Sequence, residues 1–369
     1  MYNWQLKDWT HFKFDLSEIE DTLFDFAEEA GHVSGILKAV PTASQVEAIL
    51  DTMVSEAMKT NEIEGEYLNR PDVVSSIRNN MGLNKTHDQV KDKRANGAGK
   101  LMVEVRNTFA HPLTQAMLFG WHKLLLGHSK KATIVVGAWR KHKEPMQVVS
   151  GNIIGKEKIH FEAPPSSRVP AEMQQFIDWF NSTAPGGNKA IKKAPVRAAI
   201  AHLYFESIHP FQDGNGRIGR AIAEKALSQT LGRPAMLSLS QTLEADKQIY
   251  YANLETAQRS NEVTKWVEYF VQVILDAQIQ AKVRIDFTLK KVKYFDQFKD
   301  LFNNRQAKVV RKMFAAGIEG FEGGMSPKKY MSITKTSKAT ATRDLHLLVE
   351  IGALLIEGGG RSTRYQLAI

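Results

Sequence analysis

His209-Pro-Phe-Gln-Asp213-Gly214-Asn215-Gly216-Arg217-Ile-Gly-Arg220 is the stretch from which the rest of this chain is read. Gly214, Asn215 and Gly216 carry too little side chain to pack a core, but they let a backbone come close to a ligand. The alanine-rich run from Ile218 to Leu227 predicts a helix starting just after them. A glycine-rich turn that opens a helix is a phosphate cradle: successive N–H groups converge, and the helix dipole favours negative charge there. Arg217 and Arg220 lie three apart, on neighbouring parts of one helix face. Two guanidinium forks in that position suit phosphate oxygens. Asp213 borders the cradle, where a carboxylate oxygen can hold Mg²⁺ already bridged to phosphates. His209 precedes a proline, so it ends the helix before it and points into the same loop. A neutral imidazole there can take a hydroxyl proton.

The stretch resembles the signature of the Fic family, His-x-Phe-x-(Asp/Glu)-Gly-Asn-Gly-Arg-x-x-Arg, with every fixed position present. The resemblance implies an all-α Fic fold with a small β-hairpin flap. It implies an enzyme that moves AMP from ATP to a Ser, Thr or Tyr hydroxyl of a target protein and releases pyrophosphate. His209 is then the general base, Asp213 the Mg²⁺ ligand, and Gly214, Asn215 and Gly216 the anion cradle. Arg217 and Arg220 fall on the ATP phosphates. Relatives with Lys-Gly in place of Asn215-Gly216 resemble a kinase branch, and this chain lacks that change.

Thr60-x-x-x-Glu64-Gly65 resembles the (Ser/Thr)-x-x-x-Glu-(Gly/Asn) motif of autoinhibited members. In the family this glutamate pairs with the second arginine of the signature, here Arg220. Such a charge-assisted pair would take the arginine from the γ-phosphate and put negative charge in its place. By spacing alone, Tyr250, Tyr251 and Leu254 read as helix core. In similar members the equivalent residues line the adenine pocket, and the resemblance carries that role to these three. Gln258 stands where many relatives have Asn.

The chain has 369 residues, which predicts two or three domains. No apolar run approaches the roughly 18 residues of a membrane span, and the first residues do not resemble a signal peptide. There is no cysteine, so no disulfide or thiolate metal site can form, which fits a cytoplasmic location. The net charge is +9, and from Lys282 onward 17 Lys and Arg face 8 Asp and Glu. The whole excess therefore lies at the C-terminal end, and a neutral body with one basic module suggests an anionic partner for that module.

Three domains are expected: 1–90, an N-terminal helical domain with the inhibitory helix; 91–281, the catalytic core; and 282–369. In the first, Leu16 to Glu29 has helical spacing, and a long helix follows with Ser44 and Glu47 as a capping box. Its buried stripe is Val46, Ile49, Leu50, Met53, Val54 and Ala57. In the second, Asn107 to Leu126 reads as one helix. Ala132 to Val136, Met146 to Val149 and Ile159 to Phe161 are short apolar runs that read as a hairpin. In the family this hairpin is the flap, which holds the target segment as an added strand. Val196, Ala199, Ile200, Leu203 and Tyr204 give the helix before His209 its apolar face, and His202 reads as a packed structural histidine.

From Arg305 onward the pattern is three helices and a strand–glycine–strand unit, which predicts a winged helix-turn-helix domain. Lys335, Lys338 and Arg343 on or near its third helix, and Arg361 and Arg364 on its wing, suit phosphate contacts. The expected function is that of a protein adenylyltransferase using ATP and Mg²⁺ and restrained by Glu64. Two rivals stand beside it: removal of AMP with Glu64 positioning a water, and a DNA-binding regulator whose core senses nucleotide. The expected partner is a hydroxyl side chain of a target protein. DNA or protein contact through the C-terminal domain and a homodimer stay open, and no membrane association is expected.

Overall fold

A computed structural model describes residues 1–129, 134–150, 158–318 and 320–369. Helices α1 (Glu20–Ala39), α2 (Thr42–Ile63), α3 (Arg70–Asn80), α4 (Lys93–Asn107) and α5 (Gln115–Leu126) lead to an antiparallel hairpin, β1 (Gln147–Ser150) and β2 (Lys158–Glu162). There follow α6 (Val169–Ser182), α7 (Ala194–Ile208), α8 (Asn215–Leu231), α9 (Leu239–Ala245), α10 (Lys247–Ala257) and α11 (Thr264–Phe298). Helices α12 (Asn304–Phe314), α13 (Pro327–Thr334) and α14 (Lys338–Glu350) precede a second antiparallel hairpin, β3 (Leu354–Glu357) and β4 (Arg364–Leu367). The chain divides into two compact units, Met1–Leu37 with Ile49–Ala281, and Lys38–Ala48 with Lys282–Ile369. Among the described residues no helix is long and apolar enough to cross a membrane.

The first unit is built around α7, whose residues from Ala194 to Ile208 are all buried. A polar side chain on a helix buried all round is costly unless it finds a partner. Arg197 does so by donating to Phe180 O at 2.8 Å, Ala226 O at 3.1 Å and Gln229 Oε1 at 2.9 Å. Burial lowers its pKa to about 10. Helix α8 packs against α7 through Ile218 and Ile222, both fully buried. Gly232 ends α8 in the left-handed region, at φ 68°.

The N-terminal segment reaches into this unit. Asn3, fully buried, donates from Nδ2 to Ser207 Oγ at 2.9 Å and from its backbone N to Gln258 O at 2.8 Å. Trp4 Nε1 donates to Glu162 O at 2.7 Å and so holds the end of β2.

Several sequence expectations are corrected. Helix α2 already starts at Thr42, which leaves Ser44 inside its first turn and not at the cap. Leu50, Met53, Val54 and Ala57 are buried as expected, while Val46 and Ile49 are only partly covered. The run from Asn107 to Leu126 is not one helix. Thr108 closes α4 with its hydroxyl on Glu104 O at 2.7 Å, Thr114 caps α5 by accepting from Met117 N at 3.1 Å, and Pro112 lies between. Asn181 holds the break open by accepting from Leu113 N at 2.8 Å and donating to Leu113 O at 2.9 Å.

The hairpin uses only the second and third of the three apolar runs. Ala132 lies outside the described residues. Val135 and Val136 form no strand, because the backbone there is tied elsewhere: Val135 N donates to Gln212 Oε1 and Gly137 N to His122 Nδ1, both at 2.8 Å. Residues 151–157, between β1 and β2 in sequence, also lie outside the described residues.

In the second unit Ser326 caps α13 by accepting from Lys329 N at 3.3 Å, and Ser337 caps α14 by accepting from Thr340 N at 3.2 Å. Val309, Val310, Met325, Tyr330, Leu345, Leu348 and Leu354 form its own core. Tyr330 and Arg305 meet on the buried Asp344, both at 2.8 Å.

Candidate active site

His209 follows the last residue of α7 and adopts φ 49°, ψ 60°, a left-handed geometry that costs a non-glycine residue free energy. Proline at 210 keeps it out of the helix, as expected, and Arg140 holds the resulting turn. That guanidinium is 1% exposed and donates to His209 O at 2.8 Å, Ile208 O at 3.3 Å and Pro164 O. A cation on the last carbonyls of a helix is favourably placed. Burial lowers its pKa to about 10.

Gly214 stands before α8 at φ 82°, ψ 5°, so the chain turns sharply and the first N–H groups of α8 have no partner within the helix. Asn215 does not offer its side chain to the cavity. It is buried and clasps Phe211, accepting from its N at 2.9 Å and donating to its O at 2.8 Å. The loop thus closes on itself, and its backbone is left for a ligand. His122 supports the same loop: its ring stacks on Phe211 at 4.2 Å and its Nε2 lies 3.2 Å from Asp213 O.

A cavity of about 920 Å³ opens over this turn, within the range of small-molecule sites. His209, Asp213, Gly214, Asn215, Gly216 and Arg220 line it, as do Tyr250, Tyr251 and Leu254. Glu64 and the hairpin residues Val148 and His160 complete its rim. The structure therefore brings together nearly every site residue expected from sequence.

Arg217 is the exception. It is 3% exposed and absent from the cavity wall, and it donates to Glu66 Oε2 at 3.1 Å, to Asn61 Oδ1 at 3.3 Å and to Asp213 Oδ1 at 3.3 Å. Three residues along a helix leave the two side chains only about 60° apart, so the partners separate them: Arg217 is drawn to Glu66 and Asn61, and Arg220 to Thr60 and Glu64.

Arg220 lies buried at 1% exposure and donates from Nη2 to Glu64 Oε1 at 2.8 Å. It also donates to Thr60 Oγ1 and to Thr60 O, both at 2.8 Å. Burial opposes the charge on Arg220, but Glu64 outweighs it and the guanidinium is held more firmly protonated than usual. Gly216 makes this approach feasible, since a Cβ there would sit 2.3 Å from Glu64 Oε1.

Glu206, on α7, was not singled out from sequence. It lines the cavity wall, and its Oε2 lies 3.5 Å from His209 Nδ1. Burial works to raise its pKa, but His209, His202 and Arg220 outweigh it, and the carboxyl stays below its ordinary value. The available signal was an acidic residue one turn before the histidine on a helix otherwise rich in apolar residues. His202 is a packed histidine, as expected: it stacks on Phe270 at 5.2 Å, and its Nε2 lies 2.8 Å from Tyr250 Oη. Burial, chiefly, pushes the Tyr250 hydroxyl well above its ordinary pKa.

Among the described residues no three His, Asp or Glu side chains gather as a metal site. Asp213 offers a carboxylate at the start of the cradle, with Oδ1 accepting from Gly214 N at 2.6 Å. That donor set fits Mg²⁺, which keeps waters and substrate phosphates for most of its shell.

The Fic/DOC family model matches residues 112–227, and a model described as a domain of unknown function, DUF4172, matches residues 2–83. A fido domain-containing protein of Dictyostelium discoideum is 31% identical over 110 residues, which is 30% of this chain and 71% of that protein. The protein adenylyltransferase fic-1 of Caenorhabditis elegans is 32% identical over 90 residues, 24% of this chain and 16% of that protein. The match thus spans under a fifth of the length of that adenylyltransferase. A Fic family protein from Desulfovibrio desulfuricans has a solved structure that covers 96% of this chain and 97% of its own, with TM-score 0.55 and 18% identity.

Proposed function

This chain belongs to the Fic/DOC family, and on that premise we propose that it is a protein adenylyltransferase whose own Glu64 restrains it. A target hydroxyl oxygen attacks the α-phosphorus of ATP, its proton passes to His209, and pyrophosphate leaves. The observation that carries this reading is a single cavity lined both by His209 with the turn that opens α8 and by Tyr250, Tyr251 and Leu254, the proposed wall for adenine. The backbone of Gly214 to Gly216 holds the phosphates, and Arg220, once released, holds the γ-phosphate. Asp213 would hold Mg²⁺, which supplies neutralisation of phosphate charge. Arg217, turned toward Glu66 and Asn61, serves the phosphates only if that segment moves. The protein's work is positioning and charge neutralisation.

Glu64 supports autoinhibition by occupying Arg220 inside the cavity. The test is incubation with α-labelled ATP: Glu64→Gly should label itself or a target in lysate far faster than wild type. A folded Glu64→Gly chain that transfers no label would overturn the transferase reading. The same exposed carboxylate favours a second reading, in which Glu64 positions a water that removes AMP. Release of AMP from a modified target by wild type but not by Glu64→Gly would select it.

The C-terminal unit is proposed to be a winged helix that contacts DNA. Its support is three helices followed by a hairpin, with Lys335, Lys338 and Arg343 exposed. The side chain of Arg361 lies outside the described residues, and Arg364 is half-buried with Nη1 on Thr363 O at 2.8 Å. A salt-dependent shift of duplex DNA, lost on changing Lys338 and Arg343 to Ala, tests this. We place the enzyme in the cytoplasm, which the lack of cysteine supports.

A further inference from the structure

We propose that Glu206 is the positioning residue for His209: its buried carboxylate accepts the Nδ1 proton and so leaves Nε2 as the atom that takes the hydroxyl proton. The proposal rests on the reading of His209 as base and names what orients it. Glu206 sits on the last turn of α7, three residues before the histidine, and Oε2 comes within 3.5 Å of Nδ1. The two side chains are 5% and 14% exposed, so water competes little for either.

His209 Nδ1 is buried without a hydrogen-bond partner, and Oε2 is the carboxylate oxygen that faces it; the other oxygen, Oε1, is also buried without one. An orphaned polar atom is costly in a buried site, and tightening the approach of Oε2 to Nδ1 relieves that cost at His209. Catalytic hydrogen bonds are often long before substrate binds and tighten afterwards. The left-handed turn at His209 is what brings the ring back over its own helix, since a continued helix would carry it onward.

A second observation comes from the facing helix. A Cβ on Gly219 would lie 2.3 Å from Glu206 Oε1 and 3.2 Å from the His202 ring. Gly219 is a variable position in the signature, yet here it opens the space that the carboxylate fills. Arg220, His202 and Tyr250 surround Glu206 and contribute to its charge balance. Arg220, however, has Glu64 as its direct partner, so Glu206 is not needed as its counter-ion in the resting form. When Glu64 withdraws, Glu206 stays, fixed by α7, and the imidazole keeps its orientation while the arginine changes partner.

The test uses ¹⁵N-histidine-labelled full-length chain and kinetics in the Glu64→Gly background. At a pH where the ring is neutral, His209 should show the Nδ1–H tautomer. Glu206→Gln keeps the shape but can donate an amide proton to Nδ1, so the tautomer should shift toward Nε2–H. Gly219→Ala keeps the carboxylate but displaces it, and should mix the tautomers. In both variants kcat should fall about 10- to 100-fold, the scale of a misplaced reacting group, with KM for ATP within about twofold. An unchanged His209 tautomer in Glu206→Gln overturns the proposal, as does a changed tautomer with unchanged kcat. Absence of AMP transfer by Glu64→Gly itself would overturn the transferase reading alone, because the spectra report the Glu206–His209 pairing without turnover.

Discussion

The α7–α8 pair and the end of α2 meet at the same cavity but are held by different forces. Helix α7 is buried along its whole length, and its position follows from packing that cannot be undone locally. The segment from Thr60 to Glu66 is held to α8 by hydrogen bonds from two arginines, and Glu64 is 28% exposed. The Glu64 carboxylate, at the edge of water, can leave Arg220 by a side-chain movement while the buried Thr60, Asn61 and Ile63 stay in place. On the proposed function, the difference makes the base and the cradle permanent and the restraint removable. The predictions below test how far that separation holds.

The largest effect should come from the permanent side. His209→Ala, placed in the Glu64→Gly background, should lose about 10²- to 10⁴-fold in label transfer. ATP affinity measured by calorimetry should stay close to that of the parent, since the ring acts on the hydroxyl proton. Transfer at the parental rate would show that the base lies elsewhere.

Next is the removable side. Glu64→Gly should raise self-labelling by about 10²-fold, because it frees Arg220 to orient the reacting phosphorus. Adding Arg220→Ala should return the rate to a low level. Equal labelling by the double and single variants would break the proposed link between latch and cradle.

Glu66→Gln should do much less. Its bond to Arg217 joins a buried arginine to a carboxylate 33% exposed, and Arg217 keeps Asn61 and Asp213 as partners. A change within about fivefold in self-labelling is expected, on the scale of a partly exposed pair worth up to about 1 kcal/mol. A rise as large as that of Glu64→Gly would mean that both arginines are latched with equal effect.

The smallest effect separates stability from activity. Glu224, on α8, has its pKa pushed up to about 8, first by burial and then by the nearby Glu56 carboxylate. The folded chain therefore holds a proton that the unfolded chain releases. That contribution is full below the ordinary glutamate value of 4.5 and is lost as pH rises toward about 8. Thermal melting should show Tm falling over this window in the wild type and falling less in Glu224→Gln. The Glu64→Gly change should leave this slope unaltered, because the latch lies outside the scaffold.

Much of the site could be read before any fold was known. His209 before a proline had to end a helix, and Gly214 with Gly216 had to mark a turn and a close approach. The tie between Glu64 and Arg220 came from the likeness of two motifs, since nothing in local spacing joins residues 156 positions apart. The hairpin strands at Val148 and Phe161 were legible as β-branched and aromatic runs, whereas Val135 and Val136 misled because their backbone bonds to side chains distant in sequence.

What the sequence determined by itself was local: which residues could form a cradle, where helices stop, and which chemistry those residue types permit. Only the tertiary structure decided direction and partnership. It turned Arg217 away from the cavity toward Glu66, spent the Asn215 side chain on Phe211, and set Glu206 under His209 in a space that Gly219 leaves open. The physical reason is that backbone preference acts over a few residues. The use of a buried charge depends on which atoms close packing brings within about 3 Å of it.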